Sequence, residues 1–330
     1  MKPLYLFSLL AVCLLLSFLS SLAFGSTSLA DERFRDSILH LRLQRTVVAA
    51  CAGAALAVAG VLTQALFRNP LADPFVLGIN SGASLGVAII VMAVGGAGLG
   101  LSSGFSLGGN VGIVLASGLG GAVVMLLVLQ LAKKVDMMTL LIIGLMLSYI
   151  TSAIVSILMH LSLPEQLQSY MSWTFGDFGS VEWTELVIFA PALLVGILMS
   201  LFCSKPLNAL LLGEHYAKSL GVNTRSLKLM LILSSSLLAG AVTAYCGPIG
   251  FIGVAVPHLC RGLIKKSDHR ILLPCCIVVG ASVSLTADLL SQIPGSAMTL
   301  PLNAVTALIG APIILFVLLK RSPLRQNFAS

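Results

Sequence analysis

Apolar residues run along this chain in blocks of helix length, and they do not alternate with polar ones. The longest block, 74–132, holds 59 residues without one Asp, Glu, Lys or Arg. A helix needs about 20 apolar residues to cross a bilayer. This block therefore predicts two spans, with the Gly-rich segment 95–112 as the break between them. The same reading over the whole chain predicts ten spans, near 4–24, 46–67, 75–95, 111–132, 138–159, 183–203, 227–246, 248–264, 271–291 and 302–319. The first resembles a secretory signal, but its apolar run of 21 residues exceeds the roughly 7–15 of a signal core, so it reads as an uncleaved span. The span at 248–264 is short and rich in Gly and Pro, which predicts a broken or tilted helix. Only helices and closed barrels satisfy the backbone in lipid, and non-alternating blocks argue against a barrel. The predicted fold class is an all-α integral membrane protein, one transmembrane domain over 1–330.

Composition supports this. Hydrophobic residues make up 58% and charged residues only 9%, where a soluble domain carries roughly 25% charged. A net charge of +7 would suggest a nucleic-acid partner in a soluble protein. Here the positions of the charges account for it. With the N-terminus inside, 15 Lys and Arg fall in inner loops and four (Arg33, Arg35, Arg42, Arg45) in outer ones. That asymmetry predicts both termini in the cytoplasm and a multi-pass protein with lipid and not nucleic acid as its surroundings. Small residues recur every four positions at Gly78, Gly82 and Gly86, at Ala49, Gly53 and Ala57, and at Gly112, Ala116 and Gly120. Such stripes let helices approach closely in lipid.

Chemistry-bearing motifs are sparse. The seven cysteines form no CxxC and no metal spacing, so they read as free thiols in helix packing and no metal site is predicted. There is no Gly-Lys pair and hence no Walker loop. No catalytic set is suggested by spacing, so the chain reads as a non-enzyme without a cofactor of its own. The inner loop at 205–226 predicts two short amphipathic helices, with Leu207, Leu210, Leu211, Ala217 and Leu220 at helical spacing and Gly213 and Gly221 as breaks. They read either as interfacial helices on lipid or as a docking element for a soluble partner. Arg42 and Arg45, at a span end, read by position as snorkelling side chains. Asp288 is an acid inside a predicted span, a costly placement that marks a functional candidate or a bonded packing residue. His258 has no second ligand at helical spacing and reads as structural. Asn80, Ser81, Met138, Thr139, Ser148, Tyr149, Asn303 and Thr306 are candidates to line or gate a pathway; Ser and Asn side chains also serve as bonds between helices.

Several stretches resemble the FecCD-type permeases of binding-protein-dependent ABC importers. They are Arg42-Leu-Gln-Arg-Thr46, Gln64-Ala-Leu-Phe-Arg-Asn-Pro-Leu-Ala-Asp-Pro74, Leu77-Gly-Ile-Asn-Ser-Gly82, Leu212-Gly-Glu-His-Tyr-Ala217, Ser219-Leu-Gly-Val222, Gly247-Pro-Ile-Gly-Phe-Ile-Gly253, Pro257-His258, Asp268-His-Arg270, Ala287-Asp288 and Val305-Thr-Ala-Leu-Ile-Gly-Ala-Pro312. They stand in family order and span nearly the whole chain. The resemblance implies a type II ABC importer permease fold, a homodimer, two ATP-binding subunits that carry ATP and Mg, and a periplasmic or lipoprotein substrate-binding protein. It implies a cargo of the iron-siderophore, haem or cobalamin type, moved by alternating access. It also assigns Gly213, Glu214, Ala217, Leu220 and Gly221 to ATPase coupling, and Arg42 and Arg45 to docking of the binding protein. Two positions depart from the family pattern: Gln292 stands where a further arginine is common, and Thr299-Leu-Pro301 where Glu-Leu-Pro is usual. Two rival readings are an ion-coupled secondary transporter of a small solute, for which Asp288 is thin support, and a membrane-embedded enzyme.

Overall fold

The computed structural model describes residues 3–25, 34–94, 107–265, 267–292 and 299–320. Most of the break expected at 95–112 lies outside these residues, as do Lys2, Arg33, Lys266, Arg321 and Arg325. In chain order the elements are α1 (Pro3–Ala23), α2 (Arg35–Phe67), a 3-10 turn (Pro74–Leu77), α3 (Ile79–Ala88) continued by a π-helical stretch (Ile89–Val94), α4 (Leu107–Leu131), α5 (Met137–His160) and α6 (Pro164–Phe175). Then follow α7 (Trp183–Phe202), α8 (Ser204–Leu211), α9 (Glu214–Ser219), α10 (Thr224–Cys246), α11 (Ile252–Ile264), α12 (His269–Ser291) and α13 (Leu302–Lys320). There is no strand among the described residues. Seven helices (α1, α2, α4, α5, α7, α10, α12) are long and apolar enough to cross a membrane, and three shorter apolar helices (α3 with its extension, α11, α13) complete the ten predicted spans.

Two predicted boundaries need correction. The second span was expected from 46, but α2 begins at Arg35, and Arg42 and Arg45, further along it, find partners inside the chain. The segment between the fifth and sixth spans was read as loop, yet it holds α6. Its sequence carries the cues: Pro164 sits in the first turn, and the Gln166 side chain accepts a hydrogen bond from the Leu163 N–H at 3.0 Å.

The bundle is built around α2, of whose apolar window 83% is buried, against 22% for α5. It packs on α12, α10 and α11. Glycine makes this possible: a Cβ on Gly53 would lie 2.3 Å from the Gly280 oxygen, and one on Gly60 would lie 1.7 Å from the Gly253 oxygen. A second pair, α3 and α4, closes through Gly82 and Gly86 against Gly120 and Ala116. These are members of the predicted stripes. Gly78 differs from its expected place. It is the left-handed residue (φ +79°) that turns the 3-10 segment into α3. Side-chain caps start α5, α10 and α12: Asp136 accepts from the Met138 and Thr139 N–H groups, Asn223 from Ser226, and Asp268 from Arg270. Five cysteines are buried as expected of packing thiols, Cys51 is half-buried, and Cys13 is exposed on α1.

Candidate functional site

The two ends of the bundle carry the polar chemistry. At one end, Arg45 of α2 grips Asp288 of α12, whose side chain is fully buried: Nε lies 2.9 and 3.1 Å from the two carboxylate oxygens and Nη2 lies 2.8 Å from Oδ1. Gln292 Nε2 donates to Asp288 Oδ2 at 2.8 Å. Arg45 Nη2 also reaches Asp177 Oδ1 at 3.0 Å, and that aspartate is 48% exposed. Arg42 Nη1 donates to the Leu22 and Ala23 carbonyls, 2.9 Å each, which are the orphan acceptors at the end of α1. Both arginines are thus engaged within the chain. Asp288 is a bonded residue joining α12 to α2, and Gln292 completes its shell. A cavity of about 350 Å³ opens beside the cluster, lined among others by Arg45, Trp173, Asp177, Glu185, Tyr245 and Leu300.

The α6 helix borders this cavity and ties several elements together. Tyr170 and Ser84 of α3 share a hydrogen bond of 2.6 Å, Asn303 Nδ2 of α13 donates to the Thr174 carbonyl at 3.4 Å, and the Asp177 N–H donates to the Cys246 carbonyl at 3.0 Å. Below it, Phe251 takes φ +69° at the start of α11, a strained backbone for a bulky residue. Gly310 of α13 leaves the room it needs, since a Cβ there would come within 2.6 Å of the Phe251 Cβ. Sequence reasoning passed over α6 and named Phe251 only within the Gly247–Gly253 motif, with no role of its own. The Gly-Pro-rich motif around Phe251 was the available signal.

The pathway candidates do not converge on one site. Tyr149 and Met138 point outward from α5. The Thr139 hydroxyl bonds the Asp136 carboxylate, and Ser148 donates to its own helix at the Gly144 carbonyl, 3.0 Å. Asn303 faces α6, whereas Thr306 is buried and donates to the Asn303 carbonyl at 3.0 Å. Asn80 has a buried Oδ1 with no hydrogen-bond partner, and Ser81 is half-buried beside it on α3. His258 Nε2 bonds the Pro70 carbonyl at 2.9 Å, a structural contact.

At the opposite end lie α8 and α9. Leu207, Leu210 and Ala217 are buried, while Leu211, Leu212, Tyr216 and Leu220 are exposed. Gly213 (φ +114°) and Gly221 (φ +80°) end the helices in conformations that suit glycine, and nothing lies within 4 Å of a Cβ built on either. Glu214 receives Lys228 Nζ of α10 at 3.0 Å on both oxygens and has Lys218 at 3.6 Å. The hydrogen bond from Lys228 holds the Glu214 carboxyl below its usual range. Likewise the Arg270 N–H and then the Asn208 amide hold Asp268 low. Lys133, Lys218, Arg225 and Lys228 line one groove here, with Glu214 as its acid. Of the basic residues assigned to inner loops, Arg68 and Arg261 line a second cavity, against α8.

These features define a multi-pass helical membrane permease. The model of the FecCD transport family matches residues 4–320. The vitamin B12 import system permease protein BtuC of Klebsiella pneumoniae is 36% identical over 316 residues, covering 94% of this chain and 92% of that protein. The hemin transport system permease protein HmuU of Yersinia pestis is 34% identical over 336 residues, covering 99% and 98%. A solved chain described as a metal-chelate type ABC transporter in an inward-facing conformation superposes with a TM-score of 0.85 at 33% identity, covering 97% and 100%. The chain belongs to the FecCD transport family, and its fold is that of the type II ABC importer permeases.

Proposed function

We propose that this chain is the membrane subunit of an ATP-driven importer for a metal chelate, either an iron-siderophore, haem or cobalamin. Two copies form the pathway. Two ATPase subunits that bind ATP and Mg dock at the α8–α9 end, which faces the cytoplasm on the charge distribution. A substrate-binding protein delivers cargo at the Arg45 end. The observation that carries this reading is the exposed apolar row Leu211, Leu212, Tyr216 and Leu220 on two short helices, beside a groove in which Lys133 and Arg225 have no ion pair among the described residues. An apolar row with charged surroundings fits a soluble partner better than open water.

Glu214 positions this surface. Its bonds to Lys228 fasten α9 to α10, so a displacement of α9 by a closing ATPase dimer would pull on a transmembrane helix. The cavity bordered by α6 at the other end would then change width, which is alternating access without a tight cargo site. Arg45 can meet an acid of the binding protein by releasing Asp177, its exposed partner; Asp288 stays bound within the bundle. Mass measurement of the detergent-solubilised complex tests the assembly. Two copies of this chain with two ATPases are expected, and a monomer that transports without nucleotide would overturn the reading. Glu214→Lys should leave insertion intact and uncouple ATP hydrolysis from uptake.

A further inference from the structure

The cavity at the Arg45 end, of about 350 Å³, is walled by the rings of Trp173, Phe175 and Tyr245 and by the charged groups of Arg45, Asp177 and Glu185. Arg45 is the one cation in its lining among the described residues. That guanidinium is already held by carboxylates: Nη2 lies 2.8 Å from Asp288 Oδ1 and 3.0 Å from Asp177 Oδ1. Glu185 has no ion pair among the described residues, and its Oε2 accepts the Glu182 N–H at 2.9 Å. We propose that this cavity filters cargo by charge, and that Asp177 and Glu185 make it select an uncharged or cationic chelate over an anionic one. The filter rests on the importer reading proposed above.

The backbone adds to the same sign. The last turns of α6, α10 and α12 line the cavity through Trp173, Tyr245 and Ser291. Each helix C-terminus carries about half a negative charge. Two N-terminal ends also border it, those of α13 at Leu302 and of α7 at Glu185. Glu185 stands in the first turn of α7 and offsets the positive end there. Three negative helix ends are thus set against one uncompensated positive end. Segments 26–33, 95–106 and 293–298 hold Asp31, Glu32 and Arg33 and no other charged residue, so they bring no excess of cations.

The aromatic walls favour the same class of cargo, because ring faces attract cations. A cleft lined by one sign of charge also concentrates ions of the other sign. Delivery sharpens the filter: when Arg45 turns to an acid of the binding protein, Asp177 loses its partner as the cargo arrives. Haem presents propionates, and a tricatecholate iron chelate carries net negative charge, so both are disfavoured. A trishydroxamate iron chelate is uncharged, or cationic where it bears an ammonium, and passes. An uncharged corrinoid passes as well.

Two measurements test the filter. The chain has two tryptophans, so Trp183→Phe leaves Trp173 as the sole reporter, in the cavity wall. Its fluorescence in the purified protein is quenched with caesium or iodide at matched ionic strength, each corrected for quenching of free N-acetyltryptophanamide. Caesium should quench about threefold better than iodide. Asp177→Asn/Glu185→Gln should bring the two ions together, and glutamine can still cap the Glu182 N–H. Equal quenching by both ions before these changes would overturn the proposal, whatever cargo the binding protein accepts. The second measurement is uptake into proteoliposomes holding this chain, its ATPase and its binding protein. The probes are a trishydroxamate iron chelate with a free ammonium and its N-succinyl derivative, which differ in the sign of their charge. The cationic form should enter about tenfold faster, and Glu185→Gln should narrow that ratio. A ratio that Glu185→Gln leaves unchanged, in uptake that still needs ATP, would overturn the filter and leave the importer reading intact. Uptake without ATP hydrolysis would overturn the importer reading itself, and cargo selection with it.

Discussion

The two ends of this bundle treat their cations in opposite ways. At the Arg45 end, Arg42 and Arg45 both bond within the chain, to helix-terminal carbonyls and to a fully buried carboxylate. At the α8–α9 end, Arg68, Lys133 and Arg225 have no ion pair among the described residues, and Lys228 serves only to hold Glu214. The first end uses charge to lock helices together. The second leaves charge and apolar surface exposed. A cation near a span end is therefore no guide by itself to docking; what matters is whether the fold supplies it with an internal acceptor.

Substitutions can break this contrast. The largest effect should come from Arg45→Leu, which leaves Asp288 buried and charged without its partner. Removing one member of such a pair costs about 3–5 kcal/mol, and the Arg45→Leu/Asp288→Leu double variant should recover much of it. Thermal or denaturant unfolding in mild detergent measures both. Charge reversal at Arg45 is then a test of folding before it is a test of docking. Next, Gln292→Ala removes one hydrogen bond to the same carboxylate and should cost about 1.5–3 kcal/mol. At the other end Glu214→Gln should cost only about 0.2–1 kcal/mol, the range of partly exposed pairs. Because the folded-state pKa of Glu214 is depressed, its contribution is present above the ordinary glutamate range and is lost only as pH falls through the lowered value. The protection of the 214–228 amides from hydrogen exchange, corrected for the intrinsic rate at each pH, should thus be unchanged between neutral and mildly acidic pH and fall in stronger acid. Smallest in stability is Leu220→Asp, expected within about 0.5 kcal/mol of wild type as an exposed site. Yet it should abolish co-purification of the ATPase. A Leu220→Asp protein that still binds its ATPase would remove the contrast.

Much of the fold was legible in the sequence because lipid imposes a simple rule on length and polarity. The ten spans and the Gly53, Gly82 and Gly120 contacts followed from that rule and from spacing. The start of α2 did not, since His40, Arg42 and Arg45 look like loop residues until Ala23 and Asp288 are seen opposite them. Those partners are 19 and 243 residues away in the chain, beyond any local pattern. The amphipathic α6 escaped because a search for apolar spans passes over short polar helices; its proline and capping glutamine were the cues. The sequence pattern brought Gly213, Glu214 and Gly221 together in one segment. It could not reveal that Glu214 bonds inward to Lys228, leaving Leu211, Tyr216 and Leu220 as the presented surface.

The central claim is that this permease moves cargo only when a separate ATPase works on the α8–α9 end. The most direct measurement is uptake of a metal chelate into proteoliposomes holding this chain, its ATPase and its binding protein, with ATP supplied on the ATPase side. The account predicts uptake that requires ATP hydrolysis and all three components, and that stops in Leu220→Asp while the protein remains folded. Uptake driven by an ion gradient with no ATPase present would contradict it.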